Sequence, residues 1–398
     1  MRILNVNFTF NTIGEKLSDE LSNLKELQKR GHYIATISTD LTNYVIEQKK
    51  SQNPKFLQIN EEVPVTIFDI PVYILHCSIP KLAWYCPNAK KIANEIVKNF
   101  DVVHIRNWYH HIAIEFYKAC IENNIPYVFT AHGTLDLTSR EKYMKIPKLI
   151  IDKFHTRKMI QNASALQSLG DSEEIEFIKF GASKKKILRI DLGVKTEDLV
   201  FDENKLKNEL DFNFPYILFL GRIVEKKGIE LLFDAFTKIN KNNLHIVVAG
   251  TGEESYKNEL IELCEKLRIN EVVHFVGPLY GMKKAKVLHN SKIFALTSYS
   301  DMHPVAIIEA LSVGIPILIT KNCDFPEIEE YDAGVIVNAE KKSVYEGLVK
   351  ILENDEKLRI QSENAKKLFQ EKFRFEDKVE KYEELFNLAI KEHKSKSS

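Results

Sequence analysis

Apolar positions along this chain follow two rhythms that alternate from end to end. Runs such as MRILNVNF (1–8), YIATIST (33–39), FDVVHIR (100–106) and IPYVFTAHG (125–133) have strand character, while 17–31 and 113–124 place apolar residues at helical spacing. The second half repeats the rhythm with better definition. PYILFLG (215–221), LHIVVAG (244–250), VVHFVG (272–277) and KIFALTS (292–298) read as strands, and 228–239 and 254–269 as helices. Strand and helix in strict alternation predict parallel sheets covered by helices, the α/β class.

At 398 residues the chain is too long for one ordinary core and long enough for two Rossmann-like domains, which implies a cleft between them. A charged stretch, KTEDLVFDENKLKNELDFNF (195–214), separates the two patterns, so the boundary is set with an N-terminal domain at 1–198 and a C-terminal one at 199–374. Phe375, Val379, Tyr382, Phe386 and Ile390 then recur at helical spacing and predict a final amphipathic helix over 375–392.

Charge narrows the partners. Lys plus Arg and Asp plus Glu each number 56, so nothing global favours nucleic acid. The five cysteines are widely spaced and lack any CxxC, which fits reduced thiols and predicts neither a disulfide framework nor a zinc site. The N-terminus reads as a first strand and not as a signal peptide, and the apolar segment 302–319 is interrupted by Glu309, Gly314 and two prolines. A cytoplasmic protein, at most peripheral on the inner face of a membrane, is expected.

Candidate chemistry concentrates in SYSDMHPVAIIEALSVGIPILIT (298–320), where Asp301 and Glu309 stand in otherwise apolar sequence. Pro304 suits the start of a helix and Gly314 its end, which makes a strand-loop-helix-strand unit with Glu309 in mid-helix. No Lys or Arg lies at the three- or four-residue spacings around Glu309, so it either reaches solvent or meets a ligand hydroxyl. The N–H groups of Val305 and Ala306, at the helix start, are candidates for a phosphate. Arg222 and Lys227 in GRIVEKKG (221–228) flank a strand-to-helix turn and form an anion site or a solvated basic loop. The GTGEE loop (250–254) lacks the third glycine of a dinucleotide fingerprint. No DxD pair occurs and His110-His111 have no carboxylate companion at ligand spacing, so no metal is required. In the first half Gly14, His132-Gly133, and Arg106, Asn107 and His110 follow predicted strands, where a glycine lets backbone approach a ligand and a histidine bonds a hydroxyl or carries charge.

Together these pieces resemble the retaining nucleotide-sugar-dependent glycosyltransferases of family 4 (glycosyl transferases group 1). The resemblance rests on GRIVEKKG, GTGEE, HFVGPLY, DMHPVAIIEALSVGIP and PEIEEYDAG in the second half, and on Gly14, Arg30-Gly31-His32 and AHG (131–133) in the first. It implies the GT-B fold, with the final helix crossing back to the N-terminal domain. It also implies that Arg222 and Lys227 hold the donor diphosphate, Glu309 the ribose hydroxyls, and Leu279 the base through its backbone. Asp301 would face the donor sugar and His132 would lie near it from the acceptor side. Gly14 would close over the phosphates, and Gly252, His303, Pro304 and Val305 would complete the donor loops. This chain departs from the family at Asp301, where Glu is usual, at Met302 and His303, and at Ile13-Gly14, where paired glycines are usual. Those positions would set the donor sugar.

The expected reaction is metal-independent, retaining transfer from a nucleotide-diphosphate sugar, its donor substrate, to a hydroxyl of a glycan or lipid-linked acceptor, with no other cofactor. A stretch with a net excess of basic residues, Arg140 to Lys158, interleaved with apolar ones, fits an anionic membrane surface or an ordinary amphipathic helix. A non-catalytic nucleotide-sugar or glycan-binding protein of the same fold is the alternative.

Overall fold

Strands such as those at 216–220, 293–296 and 317–320 are buried along nearly their whole length, which is why they read as continuous apolar runs and not as alternating ones. The computed structural model describes all residues except 10, 11, 14, 15, 18, 54, 56–58, 79–84, 108, 109, 134–154, 207, 208, 240–242 and 398. The chain divides into two compact units, Met1–Ile190 with Lys378–Ser398, and Asp191–Asp377.

Unit 1 carries β1 (Arg2–Asn7), a hairpin of β2 (Thr12–Ile13) and β3 (Lys16–Leu17), then β4 (Tyr33–Thr39), β5 (Val65–Ile67), β6 (Ile70–Leu75), β7 (Val102–Arg106), β8 (Tyr127–Thr130), β9 (Ala165–Ser168) and β10 (Ile187–Arg189). Its main sheet runs β10-β9-β8-β7-β1-β4-β6-β5, with only β5 antiparallel to its neighbour. The β5–β6 pair has no clear trace in the sequence pattern, because Pro64 and Pro71 break the apolar run.

Unit 2 carries β11 (Tyr216–Leu220), β12 (His245–Ala249), β13 (Val273–Gly277), β14 (Ile293–Leu296), β15 (Ile317–Thr320) and β16 (Gly334–Val337). The all-parallel order β13-β12-β11-β14-β15-β16 is that of a dinucleotide-binding doubly wound sheet. Here the chain leaves β11 toward one side and returns as β14 on the other. Loops after those two strands therefore part, and a crevice opens at their carboxyl ends.

The crossover between units comes earlier than residue 198. Segment 191–199 belongs to unit 2 because the Val194 N–H donates to the Phe373 carbonyl (3.2 Å), the Phe375 N–H donates back to Val194 (3.3 Å), and Leu199 enters the unit 2 core. The final helix, Glu376–Ser397, passes from unit 2 into unit 1 as expected, and extends beyond 392. Phe386 sets its ring against the edge of His104 (5.6 Å), Tyr382 accepts from Gln167 Nε2 (3.1 Å), and Glu383 accepts from Arg30 (3.1 Å). Among the described residues no helix is long and apolar enough to cross a membrane.

Candidate active site

The loops after β11 and β14, with the helix that follows the second, hold the four residues that the sequence singled out most strongly. After β11 the chain passes through Arg222, which is exposed, into a single 3-10 turn, Glu225–Lys227, and then the helix Ile229–Phe236. Gly228 links turn to helix with φ of 57°. A Cβ there would run into the Thr297 carbonyl oxygen, and the Thr297 hydroxyl donates to the Gly228 carbonyl (2.7 Å). The glycine thus draws the β11 loop onto the end of β14. Gly228→Ala is expected to cost about 2 kcal/mol, from left-handed backbone strain and that clash. A denaturation midpoint within experimental error of the wild type would refute this.

That close approach lets Lys227 form an ion pair with Asp301, with side-chain exposures of 8% and 13%. Tyr299 N–H donates to the Lys226 carbonyl (2.8 Å) and Asp301 N–H to the Asn322 carbonyl (3.1 Å), so the Asp301 loop is held from both sides. The pairing adds to the expected roles. Lys227 has three N–H donors, one of which Asp301 takes, and the remainder can serve an anion at the crevice.

Pro304 is the N-cap residue of the helix Val305–Ser312 and not its first helical residue. The Val305 and Ala306 N–H groups are therefore among those a helix start leaves without intrahelical acceptors. Gly314, with φ of 80°, ends the helix, and the Ile315 N–H reaches back to the Ala310 carbonyl (3.0 Å).

Glu309 is not without a cation. Lys284, from the helix Gly281–His289, forms an ion pair with it, at side-chain exposures of 21% and 13%. The sequence spacing correctly excluded a partner on its own helix, but the partner comes from a neighbouring one. A ribose would find a carboxylate fixed by Lys284, with acceptor capacity to spare. Lys284 is the partner of Glu309 that the sequence reading missed, and no local pattern marks it.

His303 has φ of 51° and a side chain only 1% exposed, with Nε2 3.8 Å from Asp191 and the ring 4.2 Å from Phe325. Its imidazole is used in packing within unit 2. Leu279 is likewise buried in the unit 2 core, leaving its backbone for a base. Gly252 has a packing reason of its own: it forms a parallel bridge with Ile223, whose carbonyl a Cβ would strike.

In unit 1, β7 and β8 end side by side, and Asn107 and His132 beyond them adopt φ of 57° and 50°. Non-glycine residues in that region cluster where backbone is held for function. Arg106 Nη1 points at His132 Nε2 across a long 3.5 Å contact. Burial first, and the Arg106 charge second, hold the His132 pKa down to about 3, so the imidazole is neutral near pH 7 and can only exchange hydrogen bonds. Glu173 fixes this turn: one carboxylate oxygen accepts from the Gly133 N–H (2.8 Å) and the other from Leu169 (2.8 Å). Gly14 and most of the basic stretch, up to residue 154, lie outside the described residues. Among the described residues no three His, Cys, Asp or Glu side chains gather at metal-binding distance.

Two parallel-sheet α/β units, one with a crevice at the switch point of its doubly wound sheet, are those of the GT-B architecture. Comparison with known proteins gives the family. Residues 22–198 match the model of Glycosyltransferase Family 4 and residues 200–368 that of Glycosyl transferases group 1, and the chain belongs to these group 1 glycosyltransferases. An uncharacterized glycosyltransferase of Methanocaldococcus jannaschii is 26% identical over 76% of this chain and 78% of its own. The N-acetyl-alpha-D-glucosaminyl L-malate synthase of Bacillus anthracis is 24% identical over 93% of both. Among solved structures, Anabaena HepE in complex with UDP and glucose superposes with a TM-score of 0.74 at 16% identity, over 97% of this chain and 99% of that one.

Proposed function

We propose that this glycosyltransferase moves a sugar from a nucleoside-diphosphate donor to a hydroxyl of a glycan or lipid-linked acceptor, with retention and without a metal. The observation that carries the reading is the convergence on one sheet crevice of Lys227 paired to Asp301, Glu309 paired to Lys284, and the helix start at Val305. Arg222, Lys227 and the helix dipole would neutralise the departing diphosphate, which is the electrostatic task a metal performs elsewhere. The freed diphosphate oxygen would accept the acceptor proton on the same face, so no carboxylate nucleophile is required. Asp301 would face the sugar and Glu309 the ribose. HepE is described with UDP and glucose, which makes a uridine donor the first to test.

The test is a thermal-shift screen of UDP-, GDP- and ADP-sugars, followed by transfer assays with the donor that binds. A donor at a hundred times its Kd should add about 2.7 kcal/mol of stability. The reading fails if none of the donors shifts unfolding or is turned over. Glu309→Gln is expected to raise the donor KM about tenfold with little change in kcat, since ribose contacts serve ground and transition states alike. A fall in kcat with KM unchanged would assign Glu309 a different role. Membrane association through residues 140–158 belongs to the same proposal, and liposome co-sedimentation that stays negative at low salt would remove it.

A further inference from the structure

Unit 1 contains a cavity of about 440 Å³ at the carboxyl ends of β4 and β6, within the size range of small-molecule sites. Asp40 follows β4, His76 follows β6, and Asn88 precedes the helix Ala89–Ile96, so three elements aim polar groups into one space. Those groups are fixed. Asp40 Oδ2 pairs with His76 Nδ1 (2.8 Å) and Lys49 (3.3 Å), while its Oδ1 accepts from the Cys77 N–H (3.0 Å). Glu61 accepts from the His76 N–H (2.6 Å) through one oxygen and from the Asn88 amide (2.7 Å) through the other. Lys91 pairs with Glu62, and Ile59, Ile74 and Ile92 supply the apolar part of the lining.

The chemistry of this lining selects its occupant by elimination. An anion would face the carboxylates of Asp40, Glu61 and Glu62, and a cation would face Lys49 and Lys91 across carboxylates already paired. An apolar ligand would strip water from a polar wall and return no hydrogen bonds. A neutral molecule with many hydroxyls meets none of these costs, because each carboxylate keeps spare lone pairs and the Asn88 amide offers both an acceptor and a donor. We infer that this cavity is a saccharide subsite in which sugar hydroxyls bind to Asp40, Glu61 and Asn88. Its service as part of the acceptor site rests on the proposed transferase reaction, whereas its affinity for a sugar does not.

Saturation-transfer NMR on the full chain tests this, with free hexoses and N-acetylhexosamines as probes and inorganic phosphate and choline as charged controls. Wild-type protein is expected to transfer saturation to at least one of the sugars and to neither control. Asn88→Ala should lose most of that signal at an unchanged unfolding temperature, since the Asn88 side chain does not cap its helix. Glu61→Gln, which keeps the shape and removes the charge, should weaken it. Sugar signals that survive both variants, signals from phosphate or choline alone, or no signal at all would overturn the inference. Donor binding is read separately by the thermal-shift screen of nucleotide sugars, so failure of the subsite and failure of the transferase reading are distinguishable.

Discussion

Lys227→Met is expected to lower turnover about 10²- to 10³-fold and to destabilise unit 2 by about 3 kcal/mol. The two losses have different origins. Stability falls because the Asp301 carboxylate, 13% exposed, is left in a largely desolvated place without its cation. Turnover falls because the diphosphate leaves without the ammonium that would neutralise it. A double variant separates the two: Lys227→Met with Asp301→Asn removes both charges and should regain most of the stability without regaining rate. If the double variant is as unstable as the single one, the ion pair is not the source of the destabilisation. Single-variant turnover near that of the wild type would remove Lys227 from the reaction altogether.

Acid should weaken unit 1 well before its carboxylates protonate. Burial holds His104 well below its usual range, His110 down to about 4 and His132 down to about 3. These three imidazoles are neutral in the folded protein, while in the unfolded chain they take up protons near pH 6.5. Their contribution is fully present above about pH 6.5 and is lost as pH falls below it, because the unfolded state then binds more protons than the folded one. Each group contributes a slope of up to about 1.4 kcal/mol per pH unit below about pH 6, and the slopes add for as long as the imidazoles stay neutral in the folded state. Hydrogen exchange of β7 and β8 amides as a function of pH reads this directly. His110 stacks on Phe8 at 4.5 Å, and His110→Phe should keep that contact while removing about one proton from the slope. A flat profile from pH 7 to 5 would show that the imidazoles are not desolvated as described.

Much of the site was legible because its residues sit next to strand ends in the chain. The apolar run of β11 precedes Arg222 and Lys227, and that of β14 precedes Asp301, so their placement at a sheet edge follows from local pattern alone. The strand-end placement of these residues was thus legible in advance. What escaped were contacts between segments far apart in the chain. Lys284 and Glu309 stand on different helices, and Lys227 meets Asp301 only because Gly228 lets the β11 loop reach Thr297. His303 reads as a loop residue, yet its ring turns inward onto Phe325 near Asp191. The unit boundary shifted for the same reason: 191–199 looks like linker by composition, and backbone bonds to Phe373 and Phe375 assign it to unit 2.

Sequence by itself therefore determined the class of fold, the two units, the final helix and the strand-end loops to which we assign the donor, because hydrophobic period and turn residues act over a few positions at a time. Tertiary structure decided the ion pairing of those loops and the cavity at β4 and β6. Which lysine neutralises which carboxylate, and whether a histidine is wet or buried, depend on strand order, and strand order brings together residues that no local spacing relates.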